Sequence, residues 1–209
     1  FAKKGFMALS TVPLRMYFKT RTGLMTPDAT ISFMPYLTER RKRARVISKR
    51  PGLTMSVNVL RPESRGNIHI QSSSPHDAPH INFNFLSTQI DKDTLLLALR
   101  KGRELMSAQP ISDYVEEEIA PGTGLETDEE ILTWVRNTAE TTYHPVGTCK
   151  MGNDTNAVVG ADLKVHGLDG LRVADASIMP TLTSGNTNAP SIMIGEKCSD
   201  MLLETARLS

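Results

Sequence analysis

The chain has 209 residues, which at roughly 150 residues per domain reads as one large domain or two small ones. Its 39% hydrophobic and 22% charged residues, with 14 glycines and 12 prolines, exclude collagen, coiled coil and wholesale disorder. With 24 basic against 23 acidic side chains the net charge is +1, so no overall field recruits nucleic acid or a membrane surface. The longest aliphatic run, Leu95 to Leu99, is too short for a transmembrane helix. Cys149 and Cys198 make no disulfide framework and point to a reducing compartment, hence a cytoplasmic location that includes a membrane periphery. No signal-peptide pattern follows Phe1, and a start at Phe1 is what an excised piece of a longer protein would show.

Alternation predicts strands over 30–36, 54–60, 67–71 and 80–85. In the second, Met55, Val57 and Val59 face one way and Ser56 and Asn58 the other. Turn signals at Arg50-Pro51-Gly52, Ser64-Arg65-Gly66, Ser74-Pro75 and Ala78-Pro79 separate these strands. Short links predict an antiparallel sheet with one covered face and one more polar face. The basic run Arg40 to Arg45 reads as a solvated loop between two strands; the competing reading is a contact with nucleic acid or an acidic surface.

Helices follow. The segment 91–107 carries Asp91 and Asp93 in its first turn and an apolar stripe of Leu95, Leu99, Leu105 and Met106. Thr127-Asp-Glu-Glu130 is a capping box that opens a helix with Ile131, Leu132 and Val135. A last helix runs from Pro190 to Leu203, with Asn188 as its cap. Strands first and helices after predict an α+β fold, an antiparallel sheet of mixed polarity covered by helices.

The chemistry concentrates in the last third. Tyr143-His144-Pro145-Val146-Gly147-Thr148-Cys149 places a histidine in a loop, where Pro145 holds it extended; such a histidine is a candidate for proton transfer. Gly170 to Asp175 predicts a short strand ending in Asp175-Ala176. The polar loop Thr183-Ser-Gly-Asn186-Thr187-Asn188-Ala-Pro190 then feeds a helix whose free N–H groups suit an anion or a polar ligand.

Taken together, four stretches resemble the glucose–methanol–choline (GMC) oxidoreductase family, flavin enzymes that oxidise alcohols: Leu60 to Gly66, Tyr143 to Gly152, Gly170 to Pro180 and Ser184 to Asp200. Their order is similar to that of the family's carboxyl-terminal half, and Gly185 to Pro190 with Gly195 to Asp200 most resembles the choline-dehydrogenase-like alcohol dehydrogenases. The resemblance implies FAD as cofactor, a small alcohol as substrate, and oxygen, a quinone or another electron acceptor as partner. It implies that His144 takes the alcohol proton while hydride passes from the alcohol carbon to the flavin, giving an aldehyde. Asn186, which cannot act as a base, orients the reacting oxygen. Thr187 and Asn188 contact the cofactor, and Asp175 and Ala176 lie along its ribityl–pyrophosphate region. Residues 1–142 become a substrate-binding domain, whose polar sheet face with Ser56 and Asn58 lines the pocket beside Tyr143. Residues 143–209 become the catalytic loop and the closing strand and helix of an FAD-binding domain.

The family's Gly-x-Gly-x-x-Gly loop has no match: Gly122-Thr-Gly124 has no third glycine at the right offset. The amino-terminal dinucleotide-binding half is therefore expected to be missing, and the chain alone to bind flavin weakly and lack activity. Two other readings compete. His76-Asp77-x-x-His80 has spacing that suits a metal, but it sits in a Pro-rich turn and lacks further ligands, so no metal is expected. A non-catalytic binding or assembly domain of the same fold would use the loop Arg40 to Arg45.

Overall fold

The computed structural model describes residues 10–41 and 44–208, with the side chains at 40–41, 44–45 and 205–208 outside the description. Among them are strands β1 (Leu14–Phe18), β2 (Ala29–Met34), β3 (Thr38–Arg41), β4 (Ala44–Ile47), β5 (Thr54–Val59), β6 (Asn67–His69) and β7 (His80–Asn82). Three α-helices follow, α1 (Gln89–Ser107), α2 (Asp128–Thr138) and α3 (Asn188–Leu208). The fold is thus α+β with antiparallel sheets. The chain divides into two compact units: one comprises the chain through Leu60 together with Thr88–Thr138, the other Arg61–Ser87 together with the chain from Ala139 onward.

The first unit is built on an antiparallel sheet in the order β1-β2-β5. Ile31 stands opposite Val57 and Met16, whereas Ser32 stands opposite Ser56 and Arg15, and Thr30 opposite Asn58. Opposed residues share a face, so the alternation sorts one apolar and one polar face, as the sequence predicts. Helix α1 packs on β5 and β2. A Cβ added at Gly102 would lie 4.0 Å from Val57 Cγ1, which puts α1 against the apolar face. The polar groups opposite are satisfied: Arg15 Nε donates to Ser32 Oγ at 3.0 Å and Thr30 Oγ1 donates to the Met16 carbonyl at 2.8 Å. Half-buried Arg103 on α1 grips the carboxylate of Glu118 through Nε (3.1 and 3.0 Å) and Nη2 (3.0 Å), and also donates to the carbonyls of Leu125 (2.9 Å) and Gly122 (3.0 Å). That bidentate pair ties the loop before α2 to α1.

Several expectations need correction. Strand β1 is unpredicted because Leu14-Arg-Met-Tyr-Phe lacks strict alternation of polarity. Residues 67–69 and 80–82 pair with each other as an exposed two-stranded ribbon rather than extending the main sheet. That ribbon ends early because Asn84 and Leu86 take left-handed conformations, with φ of 51° and 55°. The basic run lies in a hairpin of β3 and β4, with Arg40 opposite Arg45, not in a plain loop; residues 42 and 43 and the run's side chains fall outside the described residues. The fully buried positions on α1 are Asp91, Thr94, Leu96, Ala98 and Gly102, while Leu95 and Leu99 are only half-buried. Gly102 is glycine where the helix passes close to the sheet, at Val57.

The capping box forms as predicted. Glu130 accepts from the Thr127 N–H at 2.9 Å, and Thr127 Oγ1 accepts from the Glu130 N–H at 3.3 Å. The backbone N–H of Thr127, then its hydroxyl, holds the Glu130 carboxyl below its ordinary range. A depressed carboxyl stabilises the helix above the ordinary carboxylate range and loses that effect as acid protonates it. Replacing Thr127 with Ala is expected to lower stability by about 1 kcal/mol in urea unfolding at neutral pH, with a smaller effect in acid; an equal effect at both pH values would count against the box.

In the second unit Gly66 abuts the ribbon. A Cβ there would sit 2.1 Å from the Asn82 carbonyl oxygen and 2.8 Å from Phe83 Cα. The obstacle is backbone, which cannot swing aside. Gly66→Ala is expected to cost about 1–3 kcal/mol or more; an unchanged unfolding midpoint would contradict this geometry. In the first unit Ile131, 1% exposed, is expected to cost about 2–5 kcal/mol when cut to Ala, read by the same unfolding measurement.

Candidate active site

His144 stands in an irregular segment fixed on both sides. Before it, Tyr143 has φ of 60°, a left-handed conformation that is an outlier for a bulky residue. The Tyr143 N–H donates to Thr141 Oγ1 at 3.0 Å, and the side chain is 79% exposed. After it, Pro145 denies His144 the helical region. Gly147 then turns at φ 88°, where a Cβ would lie 3.3 Å from the Met179 carbonyl oxygen; both the turn and the space require glycine. The chain next runs along the short 3₁₀ turn Ala176–Ile178. Cys149 N–H donates to the Ser177 carbonyl at 3.0 Å, and Met151 N–H to that of Ile178 at 2.8 Å.

Helix α3 comes from the other direction onto the same core. Buried Val159, Leu163, Ile178, Met179, Ile194 and Cys198 form one cluster, with Val146, Met151 and Ala176 packed against it. Val146 and Met151 belong to the segment that follows His144; Ile194 and Cys198 belong to α3. The head of α3 therefore meets the histidine. His144 Nδ1 lies 2.9 Å from Thr187 Oγ1, and His144 Nε2 lies 2.9 Å from Asn186 Nδ2. Two consecutive residues hold the two ring nitrogens.

The other predicted site residues fall as follows. Asn188 is the first residue of α3 and is exposed. The cap expected at Asn188 belongs to Thr187, whose carbonyl accepts from the Ser191 N–H at 3.0 Å and from Ser191 Oγ at 2.6 Å. Asp175 caps the 3₁₀ turn, its Oδ1 accepting from the Ser177 N–H at 2.7 Å. The strand predicted over 170–175 reduces to an isolated bridge of Lys164 with Arg172, flanked by bonds from Val165 N–H to the Leu171 carbonyl and from Val173 N–H to that of Leu163. A brief reversal of the chain supplies that pairing. Ser56 and Asn58 lie on β5 of the first unit, half-buried on its polar face.

The direct contact of Thr187 with His144, and the double bond of Ser191 to Thr187, were not foreseen. Their only sequence signal is an uninterrupted polar triplet, Asn186-Thr187-Asn188, just before a helix. His80 pairs with His69 in the ribbon, and among the described residues no group of three or more His, Cys, Asp or Glu is placed to hold a metal. No described helix is long and apolar enough to cross a membrane.

The "Oxygen-dependent choline dehydrogenase" of Escherichia coli O45:K1 (strain S88 / ExPEC) is 43% identical over 186 residues, covering 89% of this chain and 33% of the relative. The alcohol dehydrogenase (acceptor) of Pseudomonas putida is 38% identical over 203 residues, covering 97% and 36%. The crystal structure of pyridoxine 4-oxidase from Mesorbium loti superposes with a TM-score of 0.78 at 27% identity, covering 89% of this chain and 36% of that one. The chain thus spans about a third of the length of the curated relatives it matches. Residues 62–195, which include His144, Asp175 and the Asn186–Asn188 triplet, match the family described as GMC oxidoreductase, and the chain belongs to that family.

Proposed function

We propose that this chain is the carboxyl-terminal part of an FAD-dependent alcohol oxidoreductase and that it carries the proton-accepting group, His144. The observation that supports this reading is the histidine ring held at both nitrogens, by Thr187 and Asn186, at the head of α3. An alcohol is a poor hydride donor until its oxygen gains negative character, and a base within hydrogen-bond reach gives it that character.

The residues fit a flavin. Helix α3 is 21 residues long, has no acidic residue in its first turn, and exposes Asn188 at its start. Its free N–H groups and positive end suit an electron-rich ring edge. Asn188 and the first turn of α3, with Asp175 and Ala176, would hold the cofactor. When bound, FAD supplies the hydride acceptor.

The chain's own residues do the rest. His144 accepts the hydroxyl proton. Asn186, whose amide nitrogen lies 2.9 Å from Nε2 before substrate enters, turns an N–H to the oxygen that is losing the proton as the substrate hydroxyl takes its place at Nε2, and fixes its direction. The rigid loop 143–147 keeps the ring from turning away. We assign Ser56 and Asn58, on the polar sheet face, and Tyr143 a part in substrate choice. In this reading residues 1–142 are the substrate-binding part and 143–209 the catalytic loop and closing portion of the FAD-binding domain. Relatives named for choline and for alcohol favour a small alcohol as substrate.

The test uses the complete protein that carries this chain. It is expected to show a flavin spectrum that bleaches on anaerobic addition of a primary alcohol. His144→Ala should keep the colour and slow bleaching by about 10²–10⁴-fold. A colourless protein that FAD does not reconstitute, or a variant that bleaches at the parental rate, would overturn the reading. Asn186→Ala is expected to keep the colour and slow bleaching by about 10²–10³-fold; parental speed would remove Asn186 from it.

A further inference from the structure

We propose that Thr187 is a positioning residue for His144, whose hydroxyl accepts the Nδ1 proton and thereby leaves the Nε2 lone pair, on the Asn186 side, as the basic atom. The inference rests on the reading of His144 as the base and assigns the atom that does the work.

Four observations carry it. First, Asn186 presents its amide nitrogen to Nε2 at 2.9 Å. An amide nitrogen only donates, so Nε2 accepts there, and the single proton of a neutral ring resides on Nδ1. Second, Nδ1 has a suitable acceptor, Thr187 Oγ1 at 2.9 Å, on a residue only 8% exposed, where water competes little for the bond. Third, one of the two usual claims on that hydroxyl is absent. A threonine at a helix cap normally accepts from the N–H of the second or third helical residue. Here the third residue is Pro190, which has no N–H to give. Fourth, the Thr187 backbone is pinned by the double bond from Ser191, whose N–H and hydroxyl both reach its carbonyl at 3.0 and 2.6 Å. A ring with its Nε2 proton in place cannot accept the substrate's proton at that atom; the Asn186 amide disfavours that form, and the Thr187 hydroxyl supplies the acceptor that the remaining Nδ1–H needs where water competes little.

The test is the tautomer itself, read by nitrogen-15 NMR of the complete protein that carries this chain, with labelled histidine, at alkaline pH where histidine is ordinarily neutral. The His144 signals are identified by their loss in His144→Gln. The parent is expected to show a protonated Nδ1 and an unprotonated Nε2. Thr187→Val, which removes only the hydroxyl, should lose that pattern, and Thr187→Ser should retain it. An intact amide spectrum confirms that each variant folds, and Thr187→Ala replaces Val if Val does not. A parent protonated at Nε2 overturns the proposal outright, as does a folded Val or Ala variant that keeps the parental pattern, or a folded Ser variant that loses it. Bleaching by alcohol is not the readout, so failure here leaves the base reading standing, and failure of His144→Ala to slow bleaching leaves this result untouched.

Discussion

The arrangement of the site depends on the apolar cluster around Val159, which is fully buried. Two segments far apart in sequence rest on it: the loop after His144, through Val146 and Met151, and helix α3, through Ile194 and Cys198. Each well-buried aliphatic side chain contributes about 1.5–3 kcal/mol, so several together outweigh the cost of ordering an irregular loop. Backbone bonds from Cys149 and Met151 to Ser177 and Ile178 set the register of that loop to within one residue. Given the cluster and those two bonds, the histidine and the start of α3 have little freedom to separate. A hydrogen bond of 2.9 Å between residues 43 apart in sequence is a consequence of that packing rather than its cause.

The loop itself is stiff by composition. Tyr143 occupies the left-handed region, Pro145 fixes its own φ and restricts His144, and Gly147 turns where a side chain would meet the Met179 carbonyl. Holding a bulky residue in a sparsely populated conformation costs about 1–3 kcal/mol and persists only where the surroundings over-determine it. Here the surroundings do so, through the Thr141 hydroxyl on one side and the core on the other. The effect on the imidazole is a restricted range of orientations without any regular secondary structure beneath it, which is what a proton acceptor on a loop requires.

Local chemistry was legible in the sequence and distant pairing was not. Thr127 and Glu130 announce a capping box because both partners lie within one turn. His144 and Asn186 are legible as reactive types in Gly- and Pro-rich settings and through their resemblance to a family. Strand β1 was missed because Leu14-Arg-Met-Tyr-Phe gains its strand character only from β2 beside it. The segment 170–175 reads as a strand because Leu171, Val173 and Ala174 are apolar, yet Val173 and Ala174 pack on the cluster, Leu171 is 49% exposed, and the pairing is one bridge of Arg172 with Lys164. On α1, large leucines mark a stripe, but Ala98 is buried and Gly102 makes the close approach to the sheet; hydrophobic periodicity weighs size where packing rewards smallness. The Thr187–His144 contact is not legible because sequence shows which residues are polar, not which way each points.

That last difference has a geometric basis. Asn186, Thr187 and Asn188 are consecutive where the chain enters a helix at Asn188, and side chains on either side of a helix start leave the backbone in different directions. Three neighbours therefore serve three directions. Asn186 and Thr187 straddle the His144 ring, one at each nitrogen, while Asn188 stands exposed at the first helical position. Pro190 sets the phase: it lies in the first turn, where its fixed φ favours the helix and its missing N–H removes one of the two backbone donors that compete for the Thr187 hydroxyl. Inserting or deleting one residue between 186 and 190 would rotate the set and bring an alanine or the wrong amide to the imidazole. The spacing from Asn186 to Pro190 is thus a structural specification as much as the identity of any residue within it, and it binds the chemistry of the histidine to the start of a helix held in place by a core on its far side.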